Sequence, residues 1–285
     1  MFSSDEALTH KWQLDQVRLL LNGHPNNDGY FLAQAAEMHA LQVIDAVAQL
    51  RFAATQAGAR AQGPLGDHLV YGVGRRTGDI WGAMRELVSI SPPDRKRPLT
   101  TEQTDRASRA LNTIYINIRG TMDNFAWAAI ERAGGIKSVR LSPTAIDLFG
   151  DKFSKVEAFG DLPRKLSLLL DWNNQVKSRR NPSAHRVPLA VIPAVLNPDQ
   201  AETFKRLTAE MTALPQGLPD HEAITHMAEQ QAAVKLKIEA LGVFWPMFAH
   251  MPSEGAIPIY PTVAEDVGQM VRVGRIVLGH LGAQS

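Results

Sequence analysis

Residues 101–133 carry the most convincing helical pattern in the chain, and it narrows the folds open to the rest. Leu111, Ile114, Ile118, Met122, Phe125 and Ile130 recur at helical spacing and so mark one face. Gly134-Gly135 closes the run, because glycine accepts the left-handed backbone that ends a helix. An apolar stripe of that length must be covered by other elements, and the flanking sequence offers helices. Helical patterns are read at about residues 4–23, 30–60, 77–89, 162–180, 199–213, 219–248 and 263–281.

Turn chemistry separates these segments. Residues 62–66 read as a loop, and Ser91-Pro92-Pro93-Asp94-Arg95-Lys96-Arg97-Pro98 as a turn-rich connector. Ser142-Pro143 reads as the cap and first turn of a short helix. Pro182 is expected to break the helix before it, since proline lacks the amide donor and clashes with the previous turn. Asn181 would then cap a short new turn carrying Ser183 and His185. Residues 187–195 are β-branched and proline-punctuated, which suggests an extended or edge-strand segment. The expected fold is mainly α: a helical bundle with extra N- and C-terminal helices and a short extended segment. Residues 1–285 read as one domain with a core at roughly 100–248, the N-terminal helices of 1–90 packing on it or forming an interface.

Composition supports a sizeable core, with 45% apolar residues. A net charge of +1 announces no nucleic-acid or membrane partner globally, but charge is uneven. Between residues 162 and 190, Arg164, Lys165, Lys177, Arg179, Arg180 and Arg186 face only Asp171, so six minus one leaves +5. The chain has no cysteine, which excludes disulfides, thiolate zinc sites and cysteine nucleophiles. The acidic N-terminus lacks a signal-peptide core, and the densest apolar run, 187–196, is short and holds two prolines. A cytoplasmic protein with no membrane span, no cofactor and no metal is expected.

Chemistry concentrates in Arg179-Arg180-Asn181-Pro182-Ser183-Ala184-His185-Arg186. Arginine clamps phosphate with forked hydrogen bonds, and histidine moves a proton near neutrality. These suffice to cleave RNA without a metal. The neighbouring 2′-hydroxyl attacks, a base takes its proton, an acid protonates the leaving 5′-oxygen, and a cation steadies the charged phosphorane. His185 fits the acid or base, with an unperturbed pKa of about 6.5. Arg180 fits the phosphate clamp and Asn181 an orienting role. Lys177, Arg179 and Arg186 are candidate RNA contacts. One histidine makes one proton transfer at a time, so a symmetric homodimer offering a second pair is chemically sensible.

A structural reading competes. Arg119 and Asp123 stand one turn apart on the 101–133 helix, with Asn124 beside them among Met122, Phe125 and Trp127. A buried aspartate requires a positive partner, and Arg180 or His185 would supply it as a polar clasp.

Arg180-Asn181-Pro182-Ser183-Ala184-His185 resembles the signature of the HEPN superfamily, an arginine followed after four residues by a histidine, with asparagine common after the arginine. The resemblance implies a small dimeric helical bundle whose two motifs face one groove. It implies a metal-independent ribonuclease of toxin–antitoxin or phage-defence type, or an inactive relative, with Arg180 and His185 catalytic and Asn181 auxiliary. An antitoxin or other defence-system partner would accompany it. The stretches from Asn117 to Trp127 and from Ala184 to Pro188 also resemble a group of bacterial helical proteins with LDNLAW-like and AHRIPLY-like motifs. The usual HEPN motif lies on a continuing helix, from which the prolines here depart.

Other signals are weaker. His221 and His226 stand five apart, one more than a helical zinc pair needs, and read as surface residues. Gly72-Val73-Gly74-Arg75-Arg76-Thr77-Gly78 misses dinucleotide spacing, and its arginines read as solvated. Arg95-Lys96-Arg97 reads as a solvated loop cluster. Trp12, Trp81, Trp127, Trp172 and Trp245 read as core or interface, and Asp171, Asn173 and Asn174 as an exposed face.

Overall fold

The structure, a computed structural model, describes residues 27–95, 97–185, 187–193, 198–212, 221–239, 246–251 and 255–283, by backbone alone at 27–34, 182–185, 198, 221–224, 239 and 283. Helix α1 spans Asn27–Arg60. Helix α2, Pro64–Asp67, runs through a π-helical stretch, His68–Val73, into α3, Gly74–Ile90. The long helix α4 is Thr101–Arg132. Short helices α5 (Ile136–Val139), α6 (Asp151–Ser154) and α7 (Leu162–Ser167) lead to α8, Leu170–His185. Helices α9 (Pro198–Thr212), α10 (His221–Glu239) and α11 (Ile259–Ala283) follow, with strands β1 (Ala190–Ile192), β2 (Met247–Ala249) and β3 (Ile257–Pro258) between them. The fold is mainly α.

Helix α4 organises the rest. The Thr100 hydroxyl accepts from the Gln103 amide at 3.2 Å and the Gln103 side chain accepts from the Thr100 amide at 3.0 Å, a capping box that starts the helix sharply. All six residues of its expected stripe are buried. Each such side chain removed from water contributes about 1.5–3 kcal/mol. They meet Val43, Val47 and Leu50 of α1, Ile80, Met84 and Leu87 of α3, and Val263, Val267 and Met270 of α11 in one core. That core draws on residues from Ala36 to Leu281. A smaller apolar cluster, Leu207, Val234 and Ile238, joins α9 to α10.

The three strands form one antiparallel sheet in the order β1-β2-β3, with Val191 opposite Phe248 and Phe248 opposite Ile257. Side chains of α4 hold its edge. Asn112 accepts from the Leu189 amide at 3.0 Å and donates to the Leu189 carbonyl at 2.8 Å. The Ser108 hydroxyl accepts from the Val191 amide at 2.9 Å. The extended segment after the motif is thereby fastened to the central helix.

Several boundaries differ from the sequence expectation. The loop read at 62–66 is shorter, because Pro64 opens α2 at its first turn, where no amide is needed. Gly66 makes this possible: a Cβ there would lie 2.5 Å from the Ala61 carbonyl oxygen. The helix expected from residue 77 starts earlier, since the glycine-rich segment 72–78 is already helical. The helix expected at 162–180 is two, divided between Ser167 and Leu170. The pattern read as helical to residue 248 ends at Glu239, and 247–249 form a strand. Pro246 is incompatible with a helix interior there. The first expected helix, 4–23, lies outside the described residues, as do Trp12, Trp245, Lys96 and Arg186.

Pro182 does not break its helix before the motif. Helix α8 continues through position 182 to His185, so Asn181 lies within it and caps no new turn. A proline forfeits one amide bond, and this helix ends three residues later, so the break follows the motif instead. No helix among the described residues is long and apolar enough to cross a membrane.

Candidate functional site

The motif helix α8 packs on α4 and α11, and consecutive residues on it point about 100° apart. Arg179 and Arg180, neighbours in sequence, therefore serve different surroundings. Arg179 turns inward and ion-pairs with the fully buried Asp266 of α11. The hydroxyl of buried Tyr115 donates to the same carboxylate oxygen at 2.7 Å. Burial pushes the Asp266 carboxyl above the usual carboxylate range, against the pull of Arg179 and the Tyr115 hydroxyl. Burial and the adjacent Asp266 carboxylate push the Tyr115 phenol well above its ordinary value. Burial disfavours the Arg179 charge, but Asp266, Tyr115 and Glu265 together outweigh it and strengthen its hold on the proton. Arg179, a candidate RNA contact from its position, is instead the counter-charge of a buried acid.

A second polar layer sits where α8 meets the outer edge of α4. Arg119, only 11% exposed, donates to the Asn173 side-chain oxygen at 2.6 Å. It also lies 3.6 Å from Asp123 and 3.5 Å from Asp147. Lys177 closes on Asp147 at 2.7 Å. Asn173 is buried, which corrects its reading as part of an exposed face; Asp171 and Asn174 are exposed. Burial raises the Asp147 carboxyl, but the Lys177 bond, Arg119 and the Phe149 amide overcome it and hold the group below its usual range. Burial on its inner side lifts the Asp123 carboxyl above its ordinary value, although Arg119, Arg180 and Arg76 pull the other way.

The Asp147 shift predicts a pH dependence. As pH falls, the unfolded chain takes this proton near 3.8 while the folded chain still resists it. The stabilisation is present above that value and lost as pH drops through the folded pKa. Asp147→Asn is expected to cost about 1 kcal/mol at neutral pH, because the pair is partly open to solvent and screened. Urea denaturation should show the gap between variant and wild type closing at acid pH. A gap unchanged from neutral to strongly acid pH contradicts the assignment.

Arg180 differs from its neighbours. It is partly buried, its Nε is enclosed without a hydrogen-bond partner, and its Nη1 makes only a long 3.4 Å contact with the Asn181 side-chain oxygen. It has no ion pair within 4 Å among the described residues, although Asp123 lies within its field. The polar clasp between Arg180 and Asp123 proposed from sequence is thus formed by Arg119. His185 ends α8, five residues after Arg180, which corresponds to about 7.5 Å of rise and about 140° of rotation. Its side chain lies outside the described atoms, as does Arg186.

Asn124 is turned away from this layer. Its amide donates to the Gly120 carbonyl at 2.7 Å, and its side chain occupies the space where a Cβ on Gly72 would stand. Arg76, read as solvated, instead donates to the Asn117 side-chain oxygen at 3.2 Å. Arg95, read as part of a solvated cluster, is buried and donates to the Pro193 carbonyl at 3.0 Å. Trp172 is buried and Trp127 is partly buried, stacked on His68 at 5.7 Å. Sequence reasoning missed Asp147, Asp266 and Tyr115. For Asp266 a signal existed: it stands three residues after Val263 and four before Met270, on the apolar face of its helix.

Fold and site together define a mainly helical protein with two charged layers packed against one long central helix. No family model matches the chain, and no match was found among curated proteins or solved structures.

Proposed function

We propose that the chain is a metal-independent endoribonuclease of HEPN type, acting on single-stranded or loop RNA in phage defence or a toxin–antitoxin system. The observation that carries this reading is Arg180. Of the cations on α8 whose side chains are described, Lys177 and Arg179 are taken by internal carboxylates, and Arg180 is not. A partly buried guanidinium with no ion pair among the described residues suits a phosphodiester. The continuous run of α8 to His185 supports the resemblance, since the motif lies on one helix. In this reading Arg180 binds the phosphate, His185 transfers the proton and Asn181 orients one of them. Two copies supply the second proton-transfer group, in a cytoplasmic homodimer kept in check by a partner protein.

The test is incubation of purified protein with total RNA in excess chelator. Wild type is expected to cleave and His185→Ala to leave RNA intact, while light scattering shows a dimer. Cleavage that disappears in chelator and returns with a divalent ion contradicts the mechanism, and a monomer at micromolar concentration contradicts the composite site.

A second reading is an inactive helical binding or scaffold protein. Arg119, Lys177 and Arg179 favour it, because all three are engaged by Asp123, Asp147 or Asp266. Wild-type protein without any RNA cleavage supports that reading over the first.

A further inference from the structure

Arg76 and Arg180 come from two helices, α3 and α8, that both pack on α4. Neither guanidinium has an ion-pair partner within 4 Å among the described residues, and both act on the single carboxylate of Asp123. Arg76, Arg119, Lys177 and Arg180 contribute four positive charges around this layer, while Asp123 and Asp147 contribute two negative ones. Four minus two leaves a surplus of +2 among these six side chains.

The placement of Arg76 is built into the helix it lies against. A Cβ on Gly120 would stand 2.3 Å from the Arg76 Cζ and Nη1 atoms, so the guanidinium occupies the space that only glycine leaves on α4. The Asn117 side-chain oxygen accepts from Nη1 at 3.2 Å. A neutral acceptor fixes the direction of the fork without cancelling its charge. Such an arrangement suits an incoming anion better than a structural ion pair, which would hold a carboxylate in that place.

We propose that Arg76 is a second phosphate-binding residue, holding one phosphate of a single-stranded RNA whose neighbouring phosphate sits on Arg180. The proposal rests on the RNA reading above. A single strand presents successive phosphate monoanions, which two separated cations can engage one each.

Binding is measured by fluorescence anisotropy with a labelled 2′-O-methyl RNA strand, which lacks the free hydroxyl needed for cleavage. Affinity is thereby read apart from catalysis. Arg76→Gln is expected to weaken binding about tenfold and to flatten the dependence of log affinity on log salt by about 0.7. Arg180→Gln should do the same, and Arg76→Lys should keep most of the salt slope. Gly120→Ala should reproduce the loss by displacing Arg76 while retaining its charge. Arg75→Gln is the control: that side chain is exposed and lies over the Tyr71 ring at 4.9 Å. Its removal should leave binding unchanged. Equal losses for Arg75→Gln and Arg76→Gln, wild-type affinity for Arg76→Gln, or no binding by the wild type overturns the proposal. Binding that depends on Arg76 while natural RNA stays uncut supports the subsite and defeats only the nuclease reading.

Discussion

Asp266→Ala is expected to destabilise the protein by about 3–5 kcal/mol, a fall in melting temperature on the order of 10 °C. Asp266 has almost no contact with solvent and carries both the Arg179 ion pair and the Tyr115 hydroxyl bond. Deleting the carboxylate leaves a mostly covered guanidinium without its counter-charge and a buried hydroxyl without its acceptor. Water cannot repair the loss at Tyr115, which is wholly enclosed, and reaches the mostly covered Arg179 only in part. Arg179→Ala strands the carboxylate instead and should fall in the same range, softened by protonation of an acid already raised by burial. Because the two residues act through one interaction, the double variant should cost clearly less than the sum of the singles. Thermal and urea denaturation check this. Single variants within about 1 kcal/mol of wild type contradict a stabilising role for the cluster.

Arg180→Ala, one residue along, is expected to behave oppositely. No ion pair is lost and an enclosed, unpartnered Nε is removed, so stability should change by less than about 0.5 kcal/mol. RNA cleavage should nevertheless fall by about a hundredfold or more, as when a preorganised group facing developing charge is removed. His185→Ala should lower cleavage by about 10²–10⁴-fold, the range for loss of a positioned proton-transfer group. The contrast between adjacent arginines is the decisive measurement. A strongly destabilised Arg180→Ala, with wild type that cuts no RNA, leaves the scaffold reading standing.

Much of the architecture was legible in the chain because it is set by local rules. The α4 stripe has helical spacing, and its ends carry a Thr100–Gln103 capping box and Gly134-Gly135. The extended segment after the motif followed from its β-branched and proline content, and β1 forms there. The errors came where a local rule met a nonlocal one. Pro182 reads as a breaker, yet α8 carries it in its final turn, where few helical bonds remain to be lost. Pro246 precedes a strand whose partners, Ala190–Ile192 on one side and Ile257–Pro258 on the other, are distant or later in the chain and so lie beyond any local rule.

The sequence by itself determined the helical class and the clustering of positive charge around residues 162–190. It also determined that a buried acid would need a cation. Which acid and which cation met was decided by the tertiary structure. Position along a helix sets direction to within one residue, but the partner depends on which helix lies opposite. Rotation by about 100° per residue sends Arg179 to Asp266 on α11 and leaves Arg180 at the layer around Asp123. The acids are distant in sequence: Asp266 lies 87 residues from Arg179, and Asp147 lies 30 from Lys177. No spacing rule reaches across such distances, because the charges come together only once the apolar faces of α4, α8 and α11 have been buried against one another.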